Sequence, residues 1–267
     1  MKCRNVFGKH REDAKRGWLR LGGICLLAFF AGCATEHIPT YAPMPGNEAM
    51  RILRDRAGAI HTVSAQGLIT LTKPDGNTVR MDAAIVLQPP ERARLQAWKF
   101  GSTVFDMTLT PDGLWLIAPP KSDRRKEILA AGANTGHLTR QWLQLITGSF
   151  DDPTLSIRES GAQLLLDQRR MDGTTLLCRI DRKTLTPRRY AIQDNTGTER
   201  FSLSLNRYIE IGGIVWPREI EAVSGNGSIL IELHDIEING EPPPTAFRPP
   251  ARAEKVEETP AISGETP

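Results

Sequence analysis

The chain has 267 residues, 34 of them Lys or Arg and 31 Asp or Glu, for a formal net charge of +3. Seven of the basic and two of the acidic side chains lie in the first 32 residues, so the other 235 carry 27 against 29, and net charge argues against a nucleic-acid partner. With four cysteines and no apolar run of about 20 residues, composition also argues against a disulfide-stapled miniature domain and a membrane-spanning helix.

Lys2, Arg4, Lys9, Arg11, Lys15, Arg16 and Arg20 precede Leu21 to Gly32, 12 residues without a charge. A basic n-region followed by an apolar stretch within about 7 to 15 residues reads as a signal peptide over residues 1–32. Ala31-Gly32-Cys33 resembles the bacterial lipobox, which implies that Cys33 is acylated and begins the mature chain. The alternative is an ordinary secretory signal with an incidental cysteine. Cys3 and Cys25 leave with the signal, and Cys178, in TTLLCRID, reads as a small buried hydrophobe because no His or basic cluster beside it would favour a thiolate.

Residues 33–46 read as a lipidated N-terminus and tether, with three prolines between Ala34 and Asn47 and no apolar periodicity. A domain is expected over 47–248. It should open with a helix whose N-cap is Asn47 and whose apolar stripe is Met50, Leu53, Ala57 and Ile60, with Arg51, Arg54, Asp55 and Arg56 on the polar side.

From His61 the period changes to two. In VRMDAAIVLQ, Val79, Met81, Ala83, Ile85 and Leu87 fall on one face, and the alternation returns in Phe105, Met107 and Leu109, in Phe201, Leu203 and Leu205, and in Ile229, Ile231 and Leu233. Turn signals at Lys73-Pro74-Asp75-Gly76, Pro111-Asp112-Gly113, Met171-Asp172-Gly173 and Gly225-Asn226-Gly227 join successive strands as antiparallel hairpins, so a long meander is expected. A helical stretch over Lys121 to Thr147 interrupts it. Residues 249–267, rich in Pro, Glu, Ala and Thr, bury too little surface to offset ordering entropy and are expected to be disordered.

The stretch AIVLQPPERARLQAWKFGSTVFDMTLTPDGLWLIAPP resembles the central strands of the LolA/LolB superfamily of bacterial outer-membrane lipoprotein carriers and receptors. IGGIVWPREIEA and IELHDIEINGEPPPTAFRPP resemble the closing strands of related envelope lipoproteins, and the likeness spans roughly residues 47 to 250. It implies a mainly β fold with some α structure: an antiparallel, unclosed half-barrel with a helical lid around an apolar cavity. That cavity would hold the acyl chain of a lipid or lipoprotein, lined by Met81, Ile85, Leu87, Phe105, Met107, Leu109, Leu203 and Ile231. Gln88 stands where the soluble carriers have an arginine, which fits a membrane-anchored receptor or lipid-binding relative better than a shuttle.

There is no HExxH, GxSxG, Walker loop, GxGxxG or CxxC, and the five histidines are scattered. Glu232 and His234 share a strand face, but two polar residues at period two read as a solvated face. Trp98, Phe100, Phe105, Trp115 and Trp142 read equally as cavity wall or as plain core. No catalytic residue, metal site or cofactor is expected. The expectation is a lipid-anchored envelope protein, on the outer membrane facing the periplasm, acting in lipid or lipoprotein transport. The alternative is a non-catalytic scaffold that binds an envelope protein partner.

Overall fold

The computed structural model describes residues 38–117, 143, 155–170, 173–225 and 227–256. They belong to one compact unit, Glu36–Pro267. Every described strand pair and the described core fall inside this unit, so it holds what it needs to fold on its own. Residues 1–37, most of the helical stretch expected over 121–147, and 257–267 lie outside the described residues.

The segment from Ile38 is not a free tether. Ile38, Tyr41 and Met44 pack against the core, the Tyr41 amide donates to the Lys183 carbonyl at 2.8 Å, and Arg182 donates to the Met44 carbonyl at 3.3 Å. Helix α1 follows at Gly46–Gly58. Its N-cap is Pro45, whose fixed φ of −59° suits the entry and whose carbonyl accepts from the amides of Glu48 and Ala49 at 3.1 Å. Asn47 is therefore not the cap; it lies in the first turn and its side chain accepts from the Glu48 amide at 2.9 Å. The expected stripe holds, since Met50, Leu53, Ala57 and Ile60 are all buried, joined by Ala49.

Among the described residues thirteen strands follow: β1 Val63–Thr72, β2 Thr78–Gln88, β3 Arg92–Lys99, β4 Ser102–Thr110, β5 Gly113–Ile117, β6 Leu155–Ser160, β7 Gln163–Arg169, β8 Thr175–Asp181, β9 Thr186–Gln193, β10 Glu199–Ile211, β11 Ile214–Ser224, β12 Gly227–Ile238 and β13 Glu254–Val256. All belong to one antiparallel sheet in the order β13-β5-β4-β3-β2-β1-β12-β11-β10-β9-β8-β7-β6, which does not close. The hairpins are as expected, but the single meander is not. Two meanders, β1 to β5 and β6 to β12, are joined side by side by the β1–β12 ladder. Turn signals report only neighbours in sequence, and this seam joins strands about 160 residues apart, as Leu71 opposite Ile229 shows.

Register makes the apolar face continuous across the seam. Met81, Ile69, Ile231, Ile220 and Leu205 stand side by side on five successive strands, and Leu116, Met107, Leu95, Ile85 and Ala65 form a parallel row on the other arm. An irregularity interrupts the β1–β12 ladder at Gln66/Gly67: Gly67 faces Leu233, Gln66 faces Asp235, and His234 is the extra residue. This bulge explains why the β12 isoleucines shift from odd positions, 229 and 231, to even ones, 236 and 238, while staying on one face.

The opposite face of β3 and β4 is covered by the chain that leaves β12. Asp106, 3% exposed, accepts from Arg94 at 3.0 and 2.8 Å and from Gln96 at 2.9 Å, while Arg94 also donates to the Thr245 and Ala246 carbonyls at 3.4 and 3.2 Å. Both faces of β4 are consequently buried from Asp106 to Thr110. The strap then pairs β13 with the edge strand β5, Glu254 to Val256 against Leu116 to Leu114. The disordered tail expected from residue 249 is thus corrected as far as Val256: three ladder pairs and Val256 packing on the core offset the ordering cost that composition alone suggested.

Candidate functional site

A cavity of about 400 Å³ opens between α1 and strands β9 to β11. Helix α1 contributes Ile52, Leu53, Arg56 and Ala57, with Ile60 just beyond it; the β8–β9 turn and β9 contribute Leu185, Thr186, Pro187 and Tyr190. Strand β10 supplies Leu205 and Tyr208, and the β10–β11 turn with β11 supplies Gly213 through Pro217. Tyr41, from the segment that enters α1, completes the lining.

Local backbone chemistry sets which side chains face inward. Leu203 and Leu205 follow the period of two, but Arg207 sits in the left-handed region at φ 52°, and beyond it Tyr208 is buried where strict alternation would have buried Arg207. The Tyr208 hydroxyl donates a hydrogen bond to the Pro187 carbonyl, tying β10 to the start of β9. Tyr190 hydrogen-bonds Cys178 behind the lining. Burial pushes the hydroxyls of Tyr190 and Tyr208 and the Cys178 thiol well above their ordinary ranges, so the inner end of the cavity is neutral.

Arg56 is the charged exception that the packing holds in place. Its Nη1 donates to the carbonyls of Thr184 and Leu185, both at 3.0 Å, and its Nη2 donates to the Tyr41 hydroxyl at 2.7 Å. The guanidinium also lies 5.1 Å from the Tyr41 ring centroid. Asp55, beside it in the lining, is engaged by Arg51 at 3.1 Å.

None of the eight residues expected to line an acyl-chain cavity borders this one. All lie on the apolar face of the sheet: Met81, Ile85 and Leu87 on β2, Phe105, Met107 and Leu109 on β4, Leu203 on β10 and Ile231 on β12. Six are buried in the core, and Phe105 and Ile231 are half-buried against it. Of the aromatics, Phe100 is 95% exposed at the β3–β4 turn and is no cavity wall. Trp216, absent from the expected set, is buried and does line the cavity.

Cys33 lies outside the described residues, as does the expected lid apart from Leu143, which is helical and fully buried in the core. Gln88 accepts a hydrogen bond from Arg92 at 3.4 Å. Glu232 pairs with Arg80 at 3.2 Å, while His234 is the exposed bulge residue, so the two do not form an acid–base pair. No group of three metal-ligating side chains occurs among the described residues. The buried Cys178 is the small core hydrophobe its context suggested.

No protein-family model and no curated protein matches this sequence. Among solved structures it is similar to a DUF1329 family protein from Desulfovibrio piger, at 10% identity, covering 76% of this chain and 97% of that one with a TM-score of 0.55. It is also similar to an outer membrane lipoprotein-sorting protein domain from Vibrio parahaemolyticus, at 13% identity, 75% and 95% coverage and a TM-score of 0.51. A further similar structure is the LolA superfamily protein NE2245 from Nitrosomonas europaea, at 11% identity, 72% and 94% coverage and a TM-score of 0.49. The open antiparallel sheet with its apolar face and packed helix is the fold shared with the Desulfovibrio piger protein and the Vibrio parahaemolyticus domain.

Proposed function

We propose that this protein is a lipid-anchored component of a bacterial cell envelope that holds the acyl chain of a lipid or lipoprotein, without covalent chemistry, during transport to or within the outer membrane. The observation that carries the reading is the cavity of about 400 Å³ between α1 and β9 to β11, apolar over most of its lining, in a fold shared with a lipoprotein-sorting domain. Its volume lies within the range of about 300 to 1,000 Å³ usual for small-molecule sites. Hydrocarbon burial contributes about 0.8 kcal/mol per methylene, so a single chain binds usefully and still leaves.

On this reading acylation at Cys33 supplies the anchor, and the tether is short. Ile38 already packs on the domain, so only four residues lie between it and the acylated cysteine, a span of at most about 18 Å of extended chain. Tyr41, three residues later, lines the cavity, which brings the site close to the bilayer that would supply or receive the chain.

Native mass spectrometry of the chain from Glu36 onward, purified without detergent, tests the proposal. Copurified lipid is expected, and Ile214→Trp, at a half-buried lining position, should displace it. A clean apo mass together with no uptake of an apolar fluorescent probe would refute it.

A further inference from the structure

We infer that the cavity selects a single-chain amphiphile with an anionic head, a long-chain carboxylate or monoalkyl phosphate, and that Arg56 receives the head. This rests on the reading of the cavity as a lipid site and adds to it a head group and a residue.

A guanidinium carries five N–H donors and a charge that does not titrate away. Among the described residues three of the five have acceptors, all of them neutral: the carbonyls of Thr184 and Leu185 and the hydroxyl of Tyr41. These contacts fix the position of the group without neutralising it. Among the described residues no carboxylate pairs with Arg56, and Asp55, the one carboxylate of the lining, is engaged by Arg51 on the exposed side of α1. The Nε hydrogen and one Nη2 hydrogen therefore remain for an acceptor. Arg188 lies 5.4 Å from the ring centroid of Tyr208, another lining residue, but its charge acts on Asp181 and it does not line the cavity.

Beyond Arg56 the lining turns apolar, with Leu53, Ala57, Leu205 and Trp216 offering a tail no hydrogen-bonding partner that it would need. A pre-positioned cation with spare donors at an apolar cavity complements one kind of molecule: a charged acceptor head on a hydrocarbon tail. Docking α1 onto the β8–β9 turn alone needs no uncompensated charge, because neutral donors satisfy carbonyl and hydroxyl oxygens equally well.

The test compares dodecanoate, dodecyl phosphate, dodecanol and dodecylammonium by calorimetry on the chain from Glu36 onward. Both anionic probes should bind at least about tenfold tighter than dodecanol, and added salt should weaken their binding more than that of dodecanol. Whichever of the two binds more tightly identifies the source, a fatty acid or a phosphorylated lipid. Arg56→Gln should bring the anionic probes down to the level of dodecanol. Equal binding of dodecanol and dodecanoate by the unmodified protein, or tighter binding of dodecylammonium, overturns the inference while leaving lipid binding intact. Failure of all four to bind overturns the lipid reading as well. The comparison of heads in the unmodified protein decides the matter even where Arg56→Gln loosens α1.

Discussion

Gly67→Ala is the sharpest test of the seam between the two arms of the sheet. At the bulge, a Cβ built on Gly67 would sit 2.0 Å from the Glu232 carbonyl oxygen and 3.0 Å from the Leu233 Cα, both backbone atoms of β12. A carbon and an oxygen need more than 3 Å, so β1 and β12 must separate by about 1 Å at this point. No rotamer change relieves the contact. Overpacking of this kind costs about 1 to 3 kcal/mol, and weakening one ladder hydrogen bond adds about 1 kcal/mol, so a loss near 3 kcal/mol is expected. Gly58→Ala is the control: it lies at the end of α1 with nothing within 4 Å of its added Cβ, and the change should be neutral or mildly stabilising. Urea unfolding followed by circular dichroism reads both, with the midpoint of Gly67→Ala lowered at an unchanged slope. If Gly67→Ala stays within about 0.5 kcal/mol of the unmodified protein, the seam is not packed as described, and the pairing of the two arms is wrong.

Asp106→Ala should lower stability by about 3 kcal/mol, because it leaves Arg94, 17% exposed, without the carboxylate that holds it, and the strap carrying β13 loses its clamp. Asp106→Asn, which keeps an acceptor, should lose less, and amide exchange should rise at Glu254 to Val256 in the alanine variant first; unchanged exchange there would remove the clamp from the account. Asp194 gives a pH signature. The Thr196 hydroxyl, followed by the Thr198 amide, Arg200 and the Thr196 amide, lowers its carboxyl from 3.8 to about 2 despite an opposing contribution from burial. Its stabilising contribution is therefore complete above the unfolded value and fades as pH falls through the folded one, so melting temperature should drop between about pH 4 and 2. Asp194→Asn should flatten that part of the profile, and an unaltered acid limb would show that the turn does not depend on the charge.

The folded unit departs from a simple meander for reasons that matter to its chemistry. A single meander would leave β1 and β12 as free edges, each with a row of unpaired amides and carbonyls. Pairing them buries those groups and places α1, which precedes β1, beside the turns of the second arm. The link is reinforced by Asn239, in the left-handed region at φ 60°, which accepts from the His61 amide and donates to the Ala59 carbonyl, each at 2.8 Å. Arg56 reaches the β8–β9 turn only because this closure positions the helix.

What local sequence determined by itself was whatever depends on the nearest neighbours along the chain. Period-two alternation located the apolar face of β2, β4, β10 and β12, because side chains on successive strand residues must point opposite ways, and the Gly-containing turns marked the hairpins. The stripe of α1 was legible for the same reason. Only tertiary structure decided which apolar positions are packed and which line a cavity, since Leu203 and Leu205 belong to one strand and one face yet only Leu205 borders the space. Arg56 reads in the sequence as one more cation on a polar helix face. Its role appears only when Tyr41 and the Thr184–Leu185 turn are brought to it from 15 residues before and about 128 residues after, a closure that no local propensity encodes.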